Sequence, residues 1–247
     1  MEEYRFIISR FDPAKDSASY EQTFKVPKLA SIVTILDALN YIKEHIDSGI
    51  SYRHSCRMAI CGSCAVKVNG VPKLACITKI AQLGNDTVKL EPLSKYPVVK
   101  DLVVDLEPFF KKHEMVKTYL INKHEDIYSI EPDRELKQTP EQLAKYIQFA
   151  YCIKCGNCYS VCMGTPDLSK GTVEGFIGPQ ALAQAYRYSV DNRDEGFEER
   201  LEVIASPEGV FRCHFAGSCS AVCGKGCDPA LALQFLRRAA LFGKKPC

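Results

Sequence analysis

No apolar run in the 247 residues approaches the roughly 20 that a membrane-spanning helix needs. The chain also lacks a Gly-rich phosphate loop, a dinucleotide fingerprint, a Ser–His–Asp arrangement and an HExxH motif, so nucleotide, acyl-transfer and zinc-protease chemistry find no machinery in it. Its five histidines (His45, His54, His113, His124 and His214) are scattered. A net charge of +2 lacks the one-sided basic excess of a nucleic-acid binder. The N-terminus MEEYRFIISRFDPAKD has neither the basic start nor the apolar centre of a signal peptide, and Glu2 and Glu3 do not suit a mitochondrial presequence. A reducing compartment is therefore expected.

What the chain does have is cysteine, 13 in all, too many in too long a chain for a small disulfide scaffold. Cys152 to Cys162 reads C-x2-C-x2-C-x3-C, and Cys213 to Cys223 repeats the length and spacing with Ala216 in place of the second cysteine. The two-cluster ferredoxin pattern is this run twice, with the fourth Cys of each run ligating the other cluster. By that rule Cys152, Cys155, Cys158 and Cys223 hold a [4Fe–4S] cluster. Cys162, Cys213 and Cys219 are left as three thiolates for a second site. A cubane corner facing an alanine has no protein thiolate to hold its iron, so that site is expected to be [3Fe–4S].

A third group lies upstream. Cys56, Cys61, Cys64 and Cys76 follow the plant-type [2Fe–2S] spacing C-x4-C-x2-C with a distant fourth Cys. Small residues at Ala59, Gly62, Ser63 and Ala65 let the backbone approach a cluster. Zinc is the alternative, although its sites usually pair two short knuckles. His54 reads as a surface or outer residue, since four Cys already fill the site.

The coarse pattern surrounds these groups with two kinds of structure. Residues 4–10 and 20–26 read as a β-hairpin, Ser31 to Ile46 as a helix ended at Gly49, Val66–Val68 and Pro72–Ala75 as a hairpin about Asn69-Gly70, and Thr87–Glu91 as a closing strand. Prolines and charges near residue 100 mark a boundary, after which strands are not expected. Helices are expected over Asp101–Phe110 and His113–Ile121, broken at Pro108, with a surface connection over 122–138. Further helices should start at Thr139-Pro140, run from Gly178-Pro179 to Val190, span Asp194–Ala205, and run from Asp228-Pro229 to Phe242. The fold class is α+β: residues 1–100 a β-grasp [2Fe–2S] ferredoxin-like domain, residues 101–247 a helical domain with the [4Fe–4S] and [3Fe–4S] clusters. From Arg212 to Cys247 six basic residues face one acid, Asp228, so this end carries +5 and the remainder −3. It reads either as a solvated tail or as a face for anionic lipid or an anionic or electron-rich ligand.

Three clusters and no reactive cofactor make a wire. Plant-type centres sit near about −400 mV, and loss of one iron and one thiolate should make the third centre the high-potential end. Two-electron carriers that can stop at a semiquinone, flavin and quinone, suit the two ends.

The stretches S-C-R-M-A-I-C-G-S-C with P-K-L-A-C, C-I-K-C-G-N-C-Y-S-V-C and C-H-F-A-G-S-C-S-A-V-C together resemble the iron–sulfur subunit of the succinate dehydrogenase and fumarate reductase family, over nearly the whole chain. Asp101-Leu-Val-Val-Asp105, Phe176-Ile-Gly-Pro179, Arg187-Tyr188 and Asp191-Asn-Arg-Asp194 support the likeness, and the lengths and the Asp228-Pro229 helix lean to the bacterial fumarate reductase branch. The resemblance implies an electron-transfer subunit of a quinone-linked succinate:fumarate oxidoreductase, of the kind used in anaerobic respiration or the tricarboxylic acid cycle. Its partners would be an FAD-containing flavoprotein with the dicarboxylate site, and membrane-anchor subunits with menaquinone or ubiquinone. It would lie peripherally on the cytoplasmic face of a bacterial inner membrane. Arg57, Met58, Ala59 and Ile60 would lie nearest the flavin, and His214, Lys225, Gln234 and Arg237 nearest the quinone. Met163 and Gly224 replace the family's usual prolines, and segment 164–167 lacks the aromatics of a ubiquinone pocket. Cys227 could approach a cluster or pack as a small apolar residue; Cys247 reads as an exposed tail residue. The alternatives are a soluble multi-cluster ferredoxin-like carrier and the iron–sulfur subunit of a thiol-linked fumarate reductase.

Overall fold

The computed structural model describes residues 2–123 and 135–246. His124, most of the 122–138 connection and Cys247 lie outside the described residues. The chain divides into two units: Met1–Leu106 with Ile153–Val161 and Asp167–Thr172, and Glu107–Cys152 with Cys162–Pro166 and Val173–Cys247.

The first unit is built on a five-stranded sheet in the order β2-β1-β5-β3-β4. Strands β1 (Glu3–Arg10) and β2 (Tyr20–Pro27) form the expected antiparallel hairpin, and β5 (Thr87–Glu91) pairs parallel to β1. Strands β3 (Ala65–Val68) and β4 (Val71–Leu74) meet at Asn69-Gly70, whose φ of 50° and 81° are what a two-residue hairpin turn of opposite hand requires. Alternation along β1 turns Phe6, Ile8 and Arg10 to the buried face. The inward Arg10 is compensated by Asp101 at 3.0 Å and Asp47 at 2.6 Å. Helix α1 (Ile35–His45) starts four residues later than its apolar spacing suggests, because Thr34 and Asp37 close a capping box there. It ends on Ile46 rather than at Gly49. Strands do not stop at residue 100: β6 (Val98–Lys100) and β7 (Val103–Val104) make a small antiparallel pair.

The second unit is helical. Pro108 does not break a helix but sits in the first turn of α2 (Glu107–Met115), where its missing N–H costs nothing. The second expected helix is absent over 117–121. Lys117 has φ 49°, and the carbonyls of Lys117 and Tyr119 accept from Arg200 instead of from a helical ladder. Thr139 caps α3 (Pro140–Ala144), followed by the separate short α4 (Ile147–Ala150). At the centre lies α6 (Pro179–Val190), buried all round except at Arg187 and Tyr188 and rich in alanine, so neighbouring backbones come close. It packs on α4, α7 (Phe197–Ile204) and α9 (Pro229–Phe242), with Tyr186 between Phe149 and Phe235 at 5.1 and 5.4 Å. Helix α7 begins at Phe197 rather than Asp194, since the Asp194 carboxylate is occupied by the Gly196 amide and by the fully buried Arg200. Among the described residues no helix is long and apolar enough to cross a membrane.

Candidate metal centres

Cys56, Cys61, Cys64 and Cys76 come together at one edge of the first unit. Cys64 immediately precedes β3 and Cys76 follows β4, so the Asn69-Gly70 hairpin returns the last cysteine to the loop. The loop reverses at Arg57, Ala59 and Gly62, all with φ between 55° and 74°. That curvature turns backbone amides inward: those of Met58, Ile60 and Cys61 donate to Cys56 Sγ at 3.5, 3.2 and 3.2 Å. Cys61 lies 3.2 Å from the Ser63 hydroxyl, which with nearby amides brings its thiol down to about 6. Burial pushes the Cys64 thiol up to about 12. Four soft thiols ringed by amide donors suit an iron–sulfur cluster, whose sulfurs need compensating hydrogen bonds. His54 is exposed and stacks on Tyr52 at 5.5 Å.

Cys155 and Cys158 belong to the same unit. Lys154 and Gly156 take positive φ, which tightens the turn into α5 (Asn157–Val161). A Cβ on Gly62 would lie 2.6 Å from the Ile153 carbonyl oxygen and 3.2 Å from Cys155 Cα, so the [2Fe–2S] loop and the first ferredoxin run touch through backbone. Tyr96, buried, donates its hydroxyl to the Gly156 carbonyl at 3.0 Å, and burial holds its phenol well above the usual range. Nothing in Tyr96-Pro97 as sequence signalled this role.

In the second unit Cys152 follows α4, and Cys223 follows α8 (Ser218–Ala221). The Cys223 thiol is brought down to about 6 by the Cys227 side chain and by backbone amides of residues 225–227, against burial. Cys227 is buried, beside Cys223, and its thiol also reaches the Gln148 carbonyl at 3.1 Å, so it is both packed and polar-partnered. Cys162, Cys213 and Cys219 line one pocket together with Ala216. Burial raises the thiols of Cys213 and Cys219, an upward shift that the Phe215 amide and, to a lesser extent, the Arg237 charge oppose at Cys213 without reversing it. The Phe215 amide donates to Cys213 Sγ at 3.4 Å.

His214 is exposed and lines that pocket. Arg237 is half-buried, its guanidinium 5.1 Å from the Phe215 ring centre and 5.6 Å from that of Phe211. Lys225 lies half-buried in the turn after Cys223, and Gln234 is exposed on α9. The two phenylalanines that hold Arg237 went unnoticed in the sequence, since nothing local ties Phe211 or Phe215 to a residue more than twenty positions away.

Two family patterns match the chain: the 2Fe-2S iron-sulfur cluster binding domain over residues 5–111 and the 4Fe-4S dicluster domain over residues 144–224. The fumarate reductase iron-sulfur subunit of Escherichia coli O6:H1 is 43% identical over 235 residues, covering 95% of this chain and 91% of that one. The fumarate reductase iron-sulfur subunit of Mycobacterium tuberculosis is 42% identical over 230 residues, covering 92% and 88%. The succinate dehydrogenase iron-sulfur subunit of Coxiella burnetii is 37% identical over 241 residues, covering 96% of each. A chain of the Mycobacterium smegmatis Sdh1 complex in the apo form shares the fold, with a TM-score of 0.82 at 22% identity over 98% of this chain and 97% of that one. At these identities and coverages, and with both iron–sulfur domains matched, the chain belongs to the iron–sulfur subunits of the fumarate reductase and succinate dehydrogenase family, whose work is electron transfer.

Proposed function

We propose that the chain relays single electrons between a flavoprotein partner and membrane quinone, through [2Fe–2S] on Cys56, Cys61, Cys64 and Cys76, [4Fe–4S] on Cys152, Cys155, Cys158 and Cys223, and [3Fe–4S] on Cys162, Cys213 and Cys219. The observation that carries it is the pocket of the second unit, where three thiols and Ala216 share one lining. Bound clusters supply the electron-carrying chemistry; the chain's own residues hold them, hydrogen-bond their sulfurs and set their distances. The Gly62–Cys155 backbone approach supports transfer between the first two centres without a partner in between. Met58 and Ile60 stand 67% and 57% exposed on the outer side of the [2Fe–2S] loop, apolar surface suited to a flavoprotein that carries FAD and the dicarboxylate site. His214, which lines the three-thiol pocket, Arg237, whose guanidinium lies over the lining Phe215, Gln234 on the same helix α9, and Lys225 in the turn after Cys223 would supply the polar groups a quinone head meets. Anchor subunits would then hold the protein peripherally on the cytoplasmic face of a bacterial inner membrane.

EPR of the anaerobically purified protein tests the ligand set. Oxidised protein should give a near-isotropic three-iron signal that vanishes on mild reduction as a [2Fe–2S]+ signal appears. Ala216→Cys should abolish the three-iron signal and add a second [4Fe–4S]+ signal. An oxidised protein silent in EPR that on reduction yields two [4Fe–4S]+ signals without the substitution would sink the three-iron reading and favour a soluble two-cubane carrier.

A further inference from the structure

The first ferredoxin run contains one side chain that the protein leaves unsatisfied. Asn157 stands between Cys155-Gly156 and Cys158, at the first position of α5. It is only 1% exposed, and neither its Nδ2 nor its Oδ1 has a hydrogen-bond partner. Its surroundings are otherwise well paired. The Gly156 carbonyl accepts from Tyr96 at 3.0 Å and from the Ser160 amide at 3.1 Å, and the Ser160 hydroxyl accepts from the Ser94 amide at 3.0 Å. Burying a carboxamide with no partner is costly, and folded proteins rarely tolerate it without a ligand or water at the site. Its flanking cysteines, Cys155 and Cys158, belong to the ligand set proposed above, and a cluster bound there would bring sulfur acceptors to this turn. Cluster sulfurs only accept hydrogen bonds, and a carboxamide nitrogen carries two donors. An unpaired carbonyl oxygen is the lesser cost of the two ends.

We propose that the Asn157 side-chain N–H donates to a sulfur of the cluster held by Cys152, Cys155, Cys158 and Cys223, and raises that centre's reduction potential. A donor aimed at sulfur stabilises the added negative charge of the reduced state, and such hydrogen bonds are among the protein's levers on cluster potential. Asn157 is a positioning residue: it ligates no iron and acts through the sulfur it faces. The inference rests on the ligand set proposed above.

The test is potentiometric EPR of the cluster-loaded full chain, comparing wild type with Asn157→Leu, which keeps the volume and removes the donor. The expected result is full [4Fe–4S] content with roughly a tenfold weaker tendency to be reduced, a downward shift of about 59 mV for one electron. Should Asn157→Leu fail to assemble the cluster, wild-type protein labelled with side-chain 15N-asparagine decides. Pulsed EPR of the reduced [4Fe–4S]+ signal should then detect a coupled amide nitrogen. An unchanged potential at full cluster content, or no 15N coupling, would overturn the inference and assign the carboxamide to a buried water. Failure of the ligand set itself would look different: in variants carrying serine at Cys155 or Cys158, the [4Fe–4S]+ signal would persist unaltered.

Discussion

The backbone approach at Gly62 makes a sharp demand on one position. Gly62 has φ 74°, and a Cβ there would lie 2.6 Å from the Ile153 carbonyl oxygen and 3.2 Å from Cys155 Cα and Cβ. Gly70, in the β3–β4 turn, has φ 81° with nothing within 4 Å of a Cβ. An L-residue forced into the left-handed region costs about 1–2 kcal/mol. Both Gly62→Ala and Gly70→Ala incur that strain. Only Gly62→Ala adds a backbone clash that no side-chain rotation relieves, an overpacking term of about 1–3 kcal/mol. Gly62→Ala should therefore cost about 2–5 kcal/mol. At about 2–4 °C per kcal/mol for a chain of this size, a 3 kcal/mol loss lowers the melting temperature by about 6–12 °C. Anaerobic thermal melts of the cluster-loaded variants read this directly. Rapid-freeze EPR should also find slower passage of an electron out of [2Fe–2S] in Gly62→Ala, because the loop must retreat from the Cys155 segment. Equal melting losses in the two variants, with unchanged transfer, would refute the close approach.

Two further outcomes are expected. Arg237 is a fixed positive charge held over Phe215, whose amide reaches Cys213, so Arg237→Gln should lower the midpoint potential of the three-thiolate centre, and Phe215→Leu should move it the same way by less; redox titration of the oxidised EPR signal checks both, and an unmoved potential in Arg237→Gln would show the charge to be screened. Burial pushes the Asp191 carboxyl up, but Arg193, at 2.7 Å, outweighs it and holds the group below its ordinary range. A carboxylate with a depressed folded-state pKa contributes stability that is complete above its unfolded pKa of about 3.9 and disappears as pH falls through the folded value. Melting temperature should therefore drop on acidification below about pH 4 with a smaller slope in Asp191→Asn than in wild type, and identical slopes would count against the pairing.

The order of the cysteine groups, the β-grasp hairpins, the Thr139 and Asp228 helix starts and the Asn69-Gly70 turn are legible in the chain because each is a local rule. Ligand spacing, capping and turn chemistry all act across a few residues. Ala216 is legible for the same reason, since a missing cysteine in a repeated run needs no tertiary information. Helix boundaries shifted wherever a distant group competed for the backbone. Residues 117–121 have apolar spacing compatible with a helix, yet Arg200 takes their carbonyls and the ladder does not form.

What the linear chain determined by itself is therefore the number, kind and order of the cysteine groups and the class of fold around them. Tertiary structure alone decided which groups stand beside those cysteines. It set Gly62 against Cys155, Tyr96 on Gly156, Cys227 beside Cys223 and Arg237 between Phe211 and Phe215. It also left Asn157 buried with no protein partner. The physical reason is range: a thiolate's identity as a ligand is carried by its spacing to the next cysteine. The hydrogen bonds, charges and backbone contacts that tune it come from residues whose separation along the chain bears no relation to their separation in space.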